Sequence, residues 1–195
     1  METIRAFIAI ELPAELRQQL ARLQARLKAD SQPIIKWVNP DSIHLTLKFL
    51  GNIPISDVDL ITQAMADAAK RITPFYLETE ALGAFPNLKR VQVVWLGLGG
   101  EVDKLKKLQQ IIETYLAQLG FAAEQRQFKP HLTLARLGKE VPPGERQRLG
   151  ELIAGTSFET GERVKVNSIN LIRSQLTRGG AIYSRLSSAI LPEEP

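Results

Sequence analysis

The chain has 195 residues, enough for one substantial core and short for two independent domains, so a single bilobal domain over residues 1–195 is expected. With 44% hydrophobic and 24% charged residues it has the composition of an ordinary globular protein, and no apolar run approaches the roughly 18–20 residues of a membrane span. The absence of cysteine excludes disulfides and thiolate metal sites, while a net charge of +4 suits a phosphate-bearing partner without amounting to a polybasic nucleic-acid grip.

The opening residues Met1 to Arg5 lead into a β-rich run, Ile4 to Ile10, and lack the sections of a signal peptide; a cytoplasmic location is expected. Pro13 opens a helix to about Lys28, with Leu16, Leu20, Leu23 and Leu27 at helical spacing. Pro33 and Pro40 bracket a short extended piece, and Ile43 to Leu50 reads as a strand ended by Gly51-Asn52. Ser56 is the expected cap of a helix reaching Arg71, with Asp57 and Asp59 in its first turn. Pro74 to Phe85 and Val91 to Leu98 read as strands, and Glu101 to Leu119 as a helix stopped by Gly120. His131 to Leu137 is a further strand; a short helix follows Pro142-Pro143-Gly144. Val164 to Ser174 and Ala181 to Leu186 form a last pair joined across Arg178-Gly179-Gly180, before a frayed tail, LPEEP. Interleaved strands and helices with hairpin-like turns predict an α+β fold with largely antiparallel sheets.

One feature rises above this pattern. Residues 44–51 read HLTLKFLG and residues 131–138 read HLTLARLG, six of eight positions agreeing, and the chain's two histidines each open one copy. Side chains alternate along a strand, so His44 projects with Thr46 and His131 with Thr133, while the intervening leucines anchor the opposite face. If an approximate two-fold axis relates the copies, two imidazoles and two hydroxyls converge on one cleft. Such a quartet fits phosphodiester hydrolysis: a base to deprotonate water, an acid for the departing oxygen, and hydroxyl donors for the non-bridging phosphate oxygens.

With these motifs the chain resembles the 2H phosphoesterase superfamily, and in particular its RNA 2',3'-cyclic phosphodiesterase branch, also called 2'-5' RNA ligase-like. RAFIAIELP, KWVNPDSIHLTLKFLG, VVWLGL, PHLTLAR and LIRSQLTRGGAIYSRL carry the likeness from Arg5 to Leu186. The resemblance implies a duplicated, pseudo-two-fold, two-lobed fold around a central cleft. It also implies hydrolysis of a 2',3'-cyclic phosphate to a 2'-phosphomonoester without metal or other cofactor. By analogy His44 protonates the leaving 3' oxygen and His131 activates water, although the near-symmetry of the motifs leaves the two roles interchangeable. The partner implied is RNA with a cyclic phosphate end or a small cyclic nucleotide; no protein partner or membrane is implied, and a monomer is expected.

Other residues carry two readings. Strict alternation turns Arg136 away from His131 unless a bulge or strand end returns it, whereas the PHLTLAR pattern favours a phosphate role. Lys48 has the parity to follow Thr46 into the cleft, or else stands solvated at its rim. Tyr183 and Phe7 are candidates for stacking on a base, with core packing the plainer role for Phe7. Trp37 and Trp95 read as structural, and the lysines of KLKK at 104–107 as the wet face of a helix. A reversible 2'-5' RNA ligase would use the same site. A nucleotide-binding module without turnover would not need an acid–base pair.

Overall fold

The computed structural model describes residues 2–31, 34–158, 163–178 and 180–193. The expectations that rested on Pro33, Gly179 and the last two residues of the tail lie outside that range. The first half runs β1 (Thr3–Glu11), α1 (Ala14–Ala29), β2 (Lys36–Trp37), β3 (His44–Pro54), α2 (Val58–Ala69) and β4 (Phe75–Phe85). The second runs β5 (Val93–Gly100), α3 (Val102–Gln118), β6 (His131–Arg136), α4 (Pro143–Gly155), β7 (Arg163–Val166), β8 (Ser168–Thr177) and β9 (Gly180–Ile190). The strands form two antiparallel sheets, ordered β3-β1-β8-β9 and β2-β6-β5-β4-β7. The fold is thus α+β and two-lobed. No helix among the described residues is long and apolar enough to cross a membrane.

Helix α1 forms as its leucine spacing dictates: Leu16, Leu20, Leu23 and Leu27 are all buried. Each buried leucine contributes about 1.5–3 kcal/mol of transfer free energy. One continuous apolar core joins residues of all four helices and both sheets. Strand β1 divides its side chains: Ile4, Ile8 and Ile10 enter that core, whereas Phe7 and Ala9 join Ile172 and Tyr183 in a small cluster on the other face.

Three readings are corrected. Gly51-Asn52 does not end the first motif strand, because β3 stays paired with β1 through both residues as far as Pro54. Ser56 does not cap α2; it lies in a short 3₁₀ turn (Ile55–Asp57), where its hydroxyl bonds Asp57 Oδ1 at 3.2 Å. Val164 to Ser174 is not one strand but two, broken at Asn167, where the chain leaves one sheet (β7 on β4) for the other (β8 on β1). The Asn167 carbonyl at this crossing accepts a bond from Leu191 N at 2.9 Å. No proline or glycine marks the place.

The duplication extends beyond the motif. Strand, helix, motif strand and helix recur as β1-α1-β3-α2 and β5-α3-β6-α4, with each motif strand antiparallel to the strand that opens its set. In β3, Thr46 pairs with Ala9 and Lys48 with Ile8, leaving Leu47 as an extra residue. In β6, Thr133 pairs with Trp95 and Ala135 with Val94, leaving Leu134 extra. Both strands therefore bulge at the fourth residue of the motif. An extra residue reverses the alternation that follows it.

Candidate active site

The two motif strands come from different sheets and approach each other with Cα atoms within 8 Å. His44, Thr46, His131 and Thr133 all line a single cleft of about 1000 Å³ between them. Arg136 and Tyr183 line it too. The bulge at Leu134 settles the parity question for Arg136. Ala135 turns into the core at 0% exposure, and Arg136 returns to the side of His131 and Thr133. The bulge is held from beneath by the buried Gln24 of α1, whose amide donates to Leu134 O at 3.0 Å and Val38 O at 2.8 Å.

Lys48 is the converse case. The bulge at Leu47 carries it onto the core side, beside its pairing partner Ile8, and its side chain is only 6% exposed. Its ammonium donates to Glu113 Oε2 of α3 at 2.7 Å and to Ala122 O at 2.6 Å. Lys48 is among the residues lining the cleft, but its ammonium is bonded to protein there rather than solvated at the rim. The next residue, Phe49, comes back to the cleft and is 60% exposed there. Sequence reading passed over Phe49; the signal was its place in the repeat, equivalent to Arg136.

Each imidazole is held by the same device. His44 Nδ1 bonds Ser42 O at 2.8 Å, and His131 Nδ1 bonds Lys129 O at 2.6 Å, in both cases the carbonyl two residues upstream. A carbonyl only accepts, so Nδ1 carries the hydrogen in the neutral ring and Nε2 is left to exchange a proton. Aromatic rings flank both. Phe7 stacks on His44 at 4.6 Å between centroids and 25° between planes, with Tyr183 edge-on at 5.2 Å. Phe85 stands edge-on to His131 at 5.0 Å, with Trp95 at 6.5 Å. Phe7 also lines the cleft, but it is 3% exposed and laid against His44, so the imidazole covers one face of its ring. Trp95 in turn lies over Gly83, where any Cβ would meet the indole ring, so a side chain there would displace the support of His131.

Burial holds both histidines below the ordinary imidazole value, since desolvation disfavours the charged ring. The carbonyl bonds of Ser42 and Lys129 oppose that, and the positive charge of Arg136 adds to it at both rings. One difference separates the pair. Glu11, opposite His44 in the β1–β3 register, favours the imidazolium there, and no carboxylate acts so on His131. Neither threonine hydroxyl is bonded to protein among the described residues, so both are available to a ligand. No group of three His, Asp or Glu among those residues is disposed to hold a metal ion.

Comparison with known proteins agrees with this arrangement. The family described as LigT like Phosphoesterase matches the chain twice, over residues 10–95 and 98–183, one match for each half. The chain is 34% identical to the RNA 2',3'-cyclic phosphodiesterase of Methanothermobacter thermautotrophicus, covering 93% of this chain and 95% of the other. It is 36% identical to the protein of the same name from Aeropyrum pernix, covering 86% and 92%. Among solved structures, a protein from Thermus thermophilus superposes with a TM-score of 0.79 at 26% identity, covering 98% of this chain and all of that one. E. coli LigT complexed with 3'-AMP superposes with a TM-score of 0.73 at 27% identity and the same coverage. Fold and paired motifs thus define a duplicated two-histidine protein of the phosphoesterase class. The chain belongs to the LigT-like phosphoesterase family.

Proposed function

We propose that this protein opens 2',3'-cyclic phosphates at RNA ends, leaving a 2'-phosphate and a 3'-hydroxyl. The observation that carries the reading is the pair of identically held histidines facing one cleft, each with Nε2 as its proton-exchanging atom. His131, with no carboxylate to favour its charged form, takes a proton from water as the water oxygen attacks phosphorus. The bond from phosphorus to the 3' oxygen breaks, and His44, helped to hold its proton by Glu11, protonates that oxygen. Thr46, Thr133 and Arg136 donate to the non-bridging oxygens, where charge grows in the transition state. Phe49 supplies an exposed aromatic face for the base, and Tyr183 also lines the cleft. The relatives' shared name supports the substrate assignment.

All the proposed groups come from one chain, which suits a monomer, and a cysteine-free chain acting on RNA suits the cytoplasm. The test is to incubate pure protein with a cyclic-phosphate oligonucleotide in EDTA and identify the product. Clean conversion to the 2'-phosphate supports the reading. A 3'-phosphate product, or activity that needs added metal, refutes it.

A further inference from the structure

Residues 121–130, between α3 and β6, contain neither helix nor strand, yet they form one wall of the cleft. The segment ends at Lys129 and Pro130, immediately before His131, and the Lys129 carbonyl is the group that holds that ring. What fixes its other end is the buried pair of Lys48 and Glu113, at 6% and 17% side-chain exposure. Lys48 bonds Ala122 O at 2.6 Å, Glu113 Oε2 accepts from Glu124 N at 3.3 Å, and Gln109 bonds the second carboxylate oxygen at 3.1 Å. The pair thus ties three separate pieces together: the first motif strand, helix α3, and the start of the segment leading to the second motif. A buried ion pair is weak evidence for stability, because apolar residues of similar volume often do as well. Directional hold on a segment without regular structure is something apolar residues do not supply.

The segment bears Arg126 and Lys129, both exposed and both lining the cleft. Among the described residues neither is paired with a carboxylate. The cleft, at about 1000 Å³, stands at the upper end of the roughly 300–1,000 Å³ that houses one small molecule. We propose that the Lys48–Glu113 pair positions the 121–130 segment so that Arg126 and Lys129 grip phosphates upstream of the reacting end. The preferred substrate is then an RNA chain rather than a lone cyclic nucleotide. This rests on the function proposed above; Lys48 and Glu113 act as positioning residues that touch no reacting atom.

The experiment compares kcat and KM for a 2',3'-cyclic mononucleotide and for a pentanucleotide ending in a cyclic phosphate. Wild type, Glu113→Gln, the double variant Lys48→Met/Glu113→Leu, and Arg126→Ala/Lys129→Ala are measured, each first checked by thermal melting. Wild type is expected to favour the pentanucleotide in kcat/KM. Each variant is expected to lower the pentanucleotide-to-mononucleotide ratio by about tenfold, mainly through KM, the scale of losing one charge-assisted bond. Removing Arg126 and Lys129 is also expected to flatten the salt dependence for the pentanucleotide by about 0.7 per cation in the log–log slope. Arg126 and Lys129 are exposed, so that variant decides the grip even if the buried pair proves necessary for folding. A ratio unchanged in Arg126→Ala/Lys129→Ala overturns the grip, and one unchanged in a folded Glu113→Gln overturns the positioning role. A wild type that turns over both substrates without preference overturns the substrate class and leaves the cyclic phosphodiesterase reading standing. A wild type that opens neither overturns that reading and this one with it.

Discussion

Phe49 and Arg136 occupy the same place in the two halves, each five residues after its histidine (49 − 44 and 136 − 131) and each on the cleft side of a strand that bulges just after the threonine. Within one repeated frame, then, one lobe presents an aromatic face and the other a guanidinium. Phe49→Ala is expected to raise KM for nucleotide substrates by roughly 5- to 150-fold, corresponding to about 1–3 kcal/mol of base stacking, with kcat little changed. Arg136→Ala is expected to lower kcat as well, because a phosphate donor also stabilises the transition state. Steady-state kinetics on one cyclic-phosphate dinucleotide separates the two outcomes.

His44→Ala and His131→Ala are each expected to lose about 10²–10⁴-fold in kcat, the usual scale for a general acid or base. The double variant should lose less than the product of the single losses, because both groups act in one displacement. Thr46→Ala and Thr133→Ala should cost about tenfold, one hydrogen bond to a charged group apiece. Near-normal turnover in either histidine variant would defeat the mechanism.

The rate should follow a bell in pH, since one ring must be neutral and the other charged. Burial lowers both histidines, so the kcat/KM profile, which reports the free enzyme, should centre below the ordinary value of about 6.5. A bound cyclic phosphate brings a negative charge that opposes the lowering, so the kcat profile should lie at higher pH. Glu11 raises His44 and leaves His131 alone. Glu11→Gln should therefore shift one limb further toward acid and leave the other in place. Profiles that coincide for Glu11→Gln and wild type would show that Glu11 has no hold on the ring.

Gln24→Leu removes the two bonds that α1 makes to the carbonyls of Val38 and Leu134. A loss of about 1–3 kcal/mol in stability is expected from the carbonyl left unsatisfied, read as a lower Tm. Because Leu134 forms the bulge that turns Arg136 inward, KM should rise as well. A lower Tm with unaltered KM would separate the bulge from the placing of Arg136.

Much of this was legible in the residue pattern. The leucine spacing located α1, and the repeat located both motif strands, because local periodicity determines them. What stayed hidden depends on partners distant in sequence. The bulges at Leu47 and Leu134 exist only in the pairing with β1 and β5, so strict alternation decided neither Lys48 nor Arg136. Phe85 and Trp95 reach His131 from β4 and β5, and nothing near residue 131 announces them. The crossing at Asn167 went unread because long strand-forming runs flank it and Asn167-Ser168, although turn-favouring, stands there without a glycine or proline.

The carbonyls of Ser42 and Lys129 choose the proton-bearing edge of each ring, and a carbonyl is present at every position of any polypeptide. The ring's orientation therefore places no demand on which side chain precedes the motif by two residues. A serine serves one histidine and a lysine the other. The side chains at those two positions are thereby released for other tasks, and at 129 the side chain lines the cleft wall beside the ring that its own backbone steadies.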